Sequence, residues 1–274
     1  MLTSNRGFLA ASLFAGLALS AAPASAETIQ LVGPELERAA EPVQAEEASY
    51  VAGESGFEFS ANAALVSEYR FRGVDLSGGD IAIQGGVDIA HSSGFYIGTW
   101  GSSLDEDTVG YGHTELDIYG GYGGSLGEGV SFDIGVLAYL YPNAGPGDFD
   151  YYEFYGSVGF SMGPAEATVG VAYAPSQDSL DFGGGKDDNL YLYTDLGVGI
   201  PSTPLTVKGH LGYTDGVLTY TGDSKAFDWS LGVETAVAGP VSVGVSYVEA
   251  EGDFLPTDYD FTDGAIVFSV SASF

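Results

Sequence analysis

The sequence has no cysteine, seven lysine and arginine residues in total, and, after its first 26 residues, no apolar run of the roughly 18 or more residues that a membrane helix needs. Each absence removes a class of protein. Without cysteine there are no disulfides, no zinc–thiolate sites and no thiol nucleophile. Against 38 acidic residues the seven basic ones leave a formal charge of -31. Nucleic acid is therefore not an expected partner, because phosphate binding requires clustered Lys and Arg. Helical membrane spans are excluded, which leaves a closed β-barrel as the way such a chain could cross a bilayer. The three histidines, His91, His113 and His210, have no spacing that suits one metal site, and neither metal nor cofactor is expected. What is abundant points the same way. Forty-two glycines, 18 tyrosines and 16 phenylalanines favour strands and turns over helices carrying paired charges.

Two end segments stand apart. Residues 1–26 carry Arg6 and no acid, then an apolar run from Phe8 to Leu19, then Ala24-Ser25-Ala26, the pattern of a cleaved signal peptide and hence of export. Residues 27–56 hold Glu35, Glu37, Glu41, Glu46 and Glu47 with no period-2 pattern, and read as a flexible acidic periplasmic segment.

From Phe57 onward apolar residues alternate with polar ones. Phe57, Phe59, Ala61, Ala63, Leu65, Tyr69 and Phe71 share one face of the first strand, and Glu58, Ser60, Asn62, Glu68, Arg70 and Arg72 share the other. The same criterion predicts strands over 57–72, 80–90, 94–103, 113–123, 130–141, 149–161, 164–174, 188–200, 204–214, 226–238, 240–250 and 263–274. Twelve is an even number, as single-chain bacterial barrels usually require, and the connections alternate between short turns and long loops at 73–79, 104–112, 142–148, 175–187, 215–225 and 251–262. Residues 57–274 are thus expected to form an all-β, antiparallel up-and-down transmembrane barrel. Tyr69, Phe71, Tyr141, Tyr151, Tyr152, Tyr173, Tyr191, Tyr213 and Tyr247 fall at strand ends near the long loops, where membrane headgroups favour aromatics, although the Tyr139/Tyr141 and Tyr151/Tyr152 runs place some inside.

The last strand alternates Ile266, Phe268, Val270, Ala272 and Phe274 against small polar residues. A chain ending this way resembles bacterial outer-membrane barrels, and the resemblance implies that the barrel-assembly machinery reads Ile266, Phe268, Val270 and Phe274. The first hairpins carry a closer likeness. Asn62-Ala-Ala-Leu-Val-Ser-Glu-Tyr-Arg-Phe-Arg-Gly73, Gln84-Gly-Gly-Val-Asp-Ile-Ala-His-Ser-Ser-Gly-Phe-Tyr-Ile-Gly-Thr-Trp-Gly-Ser102, Glu115-Leu-Asp-Ile-Tyr-Gly-Gly-Tyr122 and Tyr139-Leu-Tyr-Pro142 resemble the proteobacterial TorF family, conserved proteins classed as porins. That resemblance covers 57 to about 155 well and the rest by pattern; it implies a pore in the outer membrane and supplies no substrate.

If one parity holds along each strand, the lumen receives Glu58, Glu68, Asp88, Glu115, Asp117, Asp133, Glu153, Asp195 and Glu234 against Arg70, Arg72 and Lys208, with His210 a further candidate. A net acidic wall concentrates cations, so the expected function is passive diffusion of small solutes or ions with mild cation preference. The alternative is a closed barrel filled by its own side chains, with a structural or surface-recognition role. No enzyme is expected: Gly123-Gly-Ser125-Leu-Gly127 matches a nucleophile-elbow string, but no strand-to-helix turn is predicted there. The remaining expected partners are outer-membrane lipid and lipopolysaccharide.

Overall fold

The computed structural model describes residues 50–51, 56–108, 110–145, 149–181, 187–254 and 261–274. The expected signal peptide and nearly all of the acidic segment lie outside these residues. Twelve antiparallel strands form the wall: β1 (Phe57–Val66), β2 (Ala82–His91), β3 (Phe95–Ser103), β4 (Thr114–Gly127), β5 (Val130–Leu140), β6 (Tyr151–Met162), β7 (Ala165–Ala174), β8 (Asn189–Gly199), β9 (Leu205–Gly216), β10 (Thr221–Ala238), β11 (Val241–Phe254) and β12 (Ala265–Ser273). Each pairs with its chain neighbours, and β12 pairs with β1 from Ser269↔Val66 to Ser273↔Asn62, closing the sheet. Below this seam Tyr50 and Val51 pair with Phe59 and Glu58, so the segment expected to be flexible through 56 already joins the sheet at 50.

Alternation decides which way the wall faces. Ile266, Phe268, Val270 and Phe274 are 59, 60, 48 and 54% exposed on the outside, whereas Val267, Ser269 and Ser271 between them are buried inside. The same outward exposure recurs at Phe59 and Leu65, Ile83 and Val87, Val169 and Val171, Leu192 and Leu196, and Leu231 and Val233. An apolar surface on every side of the molecule is far larger than water tolerates and suits hydrocarbon.

Two expectations are corrected. The first strand ends at Val66 rather than at 72. Ser67 bonds both ways with Phe268, its amide donating to the Phe268 carbonyl at 2.8 Å and its Oγ accepting from the Phe268 amide at 2.9 Å, and the ladder stops there. The chain then turns inward as a small hairpin, Arg70–Phe71 against Val74–Asp75, instead of looping outward at 73–79. The expected long loop at 215–225 is a tight connection: β9 runs to Gly216, a single 3-10 turn spans Val217–Thr219, Tyr220 takes φ 57°, and β10 begins at Thr221.

Candidate functional site

The hairpin turns on two consecutive left-handed residues, Arg72 at φ 48° and Gly73 at φ 77°. Glycine adopts this conformation freely, arginine does not, so the surroundings must hold Arg72 in place. They do. Its guanidinium bonds both oxygens of Glu153 on β6, at 2.8 and 3.0 Å, and lies 4.3 Å over the Tyr191 ring of β8. A side chain at Gly73 would meet Ala250 of β11 and Asp228 of β10, with its Cβ 2.8 Å from that of Ala250. The hairpin therefore crosses the lumen through Arg72, which reaches β6 and β8, while Gly73 lies against β10 and β11. Tyr69 donates to Glu115 on β4 at 3.2 Å and packs edge-on to Trp100 of β3; Phe71 does the same to Tyr139 of β5. Arg70 bonds the carbonyls of Gly73, Phe261 and Asp263 and pairs with Glu68. Burial lifts the Glu68 carboxyl above its ordinary value, against the pull of Arg70. Val66 and Tyr69 through Ser77 are all buried. Tyr69 and Phe71, expected to face lipid, are thus interior groups.

Above the hairpin the outer loops add an aromatic cover. Tyr111 stacks on Tyr141 at 4.5 Å and packs edge-on to Phe149; Tyr220 donates to the Tyr111 hydroxyl and packs against Phe261. Burial raises the hydroxyls of Tyr111 and Tyr220 above the usual phenol value. Inward residues at the opposite end, Glu58 and Glu166, are exposed. Among the described residues the lumen is therefore more tightly filled toward the long loops than toward the short turns.

Below the hairpin, tyrosines satisfy the interior carboxylates. Tyr96 donates to both oxygens of Asp133, at 2.7 and 2.8 Å, and shares a bond with Tyr155; Tyr119 donates to Asp88 at 2.5 Å; Tyr139 donates to Glu153 at 3.3 Å. Inward tyrosines stand opposite glycines: Tyr96 faces Gly121, Tyr119 faces Gly98, Tyr155 faces Gly135, and Tyr193 lies between Gly170 and Gly212. At Gly98, Gly135 and Gly170 an added Cβ would collide with a tyrosine ring. This is what the excess of Tyr, Gly and acid over base accomplishes: phenol donors do the work that Arg and Lys do elsewhere, and glycines make room for them.

The other side, β7 to β11, is less filled. A cavity of about 210 Å³ lies under the hairpin, lined by Arg70, Arg72, Thr168, Tyr191, Asp195, Lys208, His210, Asp228, Ser230, Glu234 and Ser246 among others. His210 is clamped between carboxylates, Nδ1 to Asp195 at 2.6 Å and Nε2 to Asp228 at 2.9 Å, with Tyr191 also in reach at 2.8 Å. Lys208 lies 3.3 Å from Glu234.

The sequence-derived candidates therefore divide. Asp195, Lys208 and Glu234 meet at the cavity, with Arg70 and Arg72 on the hairpin above it. Asp88, Glu115, Asp117, Asp133 and Glu153 belong to the packed tyrosine side, and Glu58 sits exposed at the periplasmic end. Asp228 was not among the candidates although it shares the face of Glu234 on β10. Tyr191, expected near the headgroups, is 1% exposed inside the barrel, and Tyr141 and Tyr151 are likewise interior; Tyr152, Tyr173 and Tyr247 are exposed on the outer face.

A closed wall that is apolar outside, polar inside and narrowed by an inward hairpin defines a porin-like transmembrane barrel. The chain belongs to the family described as "Bacterial protein of unknown function (Gcw_chp)", whose model matches residues 50–274. The TorF name is not part of that description. No curated protein matches the sequence. Among solved structures it is similar to the NanC porin in a rhombohedral crystal form, at 11% identity and TM-score 0.55, over 79% of this chain and 98% of that one. It is also similar to the KdgM porin in complex with disordered oligogalacturonate, at 7% identity and TM-score 0.52, over 78% and 98%. At such identities the likeness is one of fold.

Proposed function

We propose that the protein is an outer-membrane channel for passive diffusion of small solutes or ions, with a mild cation preference, rather than an enzyme. The observation that carries this reading is the cavity along β7–β11, which leaves charged side chains facing water inside a wall whose outer surface is apolar. The path follows that side, and the 67–77 hairpin is its outer restriction. Outer-membrane lipid and lipopolysaccharide surround the barrel, and the outward row Ile266, Phe268, Val270 and Phe274 is what the assembly machinery would read. The TorF likeness of the first hairpins supports the same reading, since the matching residues include the hairpin itself.

A second reading, a closed barrel with a structural or surface-recognition role, draws on the hairpin and the aromatic cover. Conductance separates the two. Val66 pairs directly with Ala82 across the ladder, so residues 68–80 can be replaced by a two-glycine link without stretching β1 or β2. Wild-type protein in planar bilayers is expected to give small currents and the shortened variant distinctly larger ones. Absence of current from both would leave the closed-barrel reading.

A further inference from the structure

We propose that Lys208 sets the charge selectivity of the passage, holding close to neutral a lining that would otherwise favour cations strongly; this rests on the channel reading above. Carboxylates far outnumber bases on the inner wall, yet most are withdrawn from water. Glu115, Asp133 and Glu153 are 1, 5 and 0% exposed, and each accepts hydrogen bonds from a tyrosine or from Arg72. Arg72 is equally withdrawn, its side chain 2% exposed in the pair with Glu153. Charges enclosed in this way meet no passing ion directly, so the ratio of acid to base read from the sequence overstates the field in the path.

Of the titratable side chains lining the cavity, Asp195, Lys208 and His210 are 30, 27 and 22% exposed and Glu166, toward the short turns, is exposed as well, whereas Asp228 and Glu234 are buried. Asp195 and His210 are bonded to each other, and Lys208 is the exposed base beside them, with Glu234 behind it at 6%. The sheet accounts for the exposure of Lys208. Its directly opposed cross-strand residues are Gly197 on β8 and Gly232 on β10, so no side chain stands immediately across from it, and Glu234, two positions along β10, touches the ammonium from one side. The long lysine stem carries the charge into that gap. There it repels cations and attracts anions, and it offsets Glu234 and Asp195.

A unit charge about 5 Å from an ion in water changes the population of that ion about fourfold, in opposite senses for cation and anion. Salt screening reduces this, so removing the charge at Lys208 is expected to raise the potassium-to-chloride permeability ratio about fivefold. The test is the reversal potential of the purified full chain in a potassium chloride gradient, recorded for the wild type and again with residues 68–80 shortened. Lys208→Gln should shift it toward potassium, Lys208→Arg should leave it in place, and Glu234→Gln should shift it toward chloride. The glutamate variant keeps the proposal testable if Lys208→Gln does not fold. Currents with an unchanged reversal potential in both Lys208→Gln and Glu234→Gln would overturn this proposal and leave the channel intact. No current from either the wild type or the shortened chain would overturn the channel reading, and the proposal with it.

Discussion

Replacing Arg72 by alanine should release the hairpin, and its size can be worked out from its contacts. The substitution leaves the Glu153 carboxyl wholly buried, with one tyrosine donor, Tyr139, in place of the guanidinium nitrogen that meets both its oxygens. Breaking a buried pair from one side typically costs about 3–5 kcal/mol, and the lost contact over Tyr191 adds roughly 0.5–2 kcal/mol. Relief of the left-handed backbone does not offset this, since alanine is strained there too. Even the lower figure, about 3 kcal/mol, multiplies the undocked fraction more than a hundredfold. The chain has no cysteine of its own, so Val74→Cys, at a hairpin site 4% exposed, supplies one buried reporter thiol. Its reaction with a water-soluble maleimide, in protein held in lipid, then measures undocking. The rate should rise by about two orders of magnitude in Arg72→Ala. It should return toward the parent value when Arg72→Met is combined with Glu153→Leu, because an apolar pair leaves no charge stranded. A change below about threefold in Arg72→Ala would refute the claim that this ion pair holds the hairpin.

Face assignment gives a second prediction: Val169→Arg, on the lipid side, should cost about 2–4 kcal/mol in folding into vesicles, whereas Arg at its inward neighbour Thr168 should cost much less. Comparable denaturant midpoints would show that the two faces are not distinguished. The tyrosine caps give a third. Tyr96→Phe removes the donor that bonds both oxygens of Asp133 and should lower stability by about 1–3 kcal/mol, read as a shifted urea midpoint, while Tyr122→Phe on the outer face should change it little. A fourth concerns packing: Gly170→Ala places a methyl group where the Tyr193 ring lies and should destabilise by about 1–3 kcal/mol, and Tyr193→Leu should suppress part of that loss.

Much of the wall could be read from the sequence because a strand with different solvents on its two faces must alternate. The run from Phe57 to Leu65 and the run from Ile266 to Phe274 are explicit in this respect, and the count of twelve strands follows from repeating the test. The same rule misled at residues 67–72. Tyr69 and Phe71 keep the parity of a lipid face, and nothing local distinguishes an aromatic that meets lipid from one that meets Trp100 and Tyr139 across a lumen. What stops β1 is Ser67 bonding to Phe268, some 200 positions away in the chain, and such a contact leaves no periodic mark. The Arg72-Gly73 step was the available local sign of a turn. At 215–225, Gly222, Asp223 and Ser224 resemble loop chemistry but lie within β10, where a shift in register with β11 accommodates them.

The candidate site was legible as a set of inward charges and illegible as an arrangement. Parity placed Lys208, Asp195 and Glu234 on inner faces, and applied to β10 it would also have found Asp228. Which carboxylates are hidden depends on which tyrosines reach them, and these come from other strands: Tyr96 on β3 reaches Asp133 on β5, and Tyr69 on the hairpin reaches Glu115 on β4. Glycine placement carried part of that information, since an inward Tyr opposite a Gly marks a ring lying flat along the wall, but the pairing is visible only once the register is known.

Thiol accessibility across one patch of wall tests the central claim most directly. Thr168, Ser230 and Ser246 line the cavity, while Val169, Leu231 and Tyr247 are their outward neighbours. With single cysteines at these positions in protein folded into lipid, a charged maleimide should label the three cavity sites and diminish the current through the barrel, and it should spare the three outer sites. Labelling of the outer sites with the cavity sites protected would contradict a wall that keeps its charge inside and its hydrocarbon surface out.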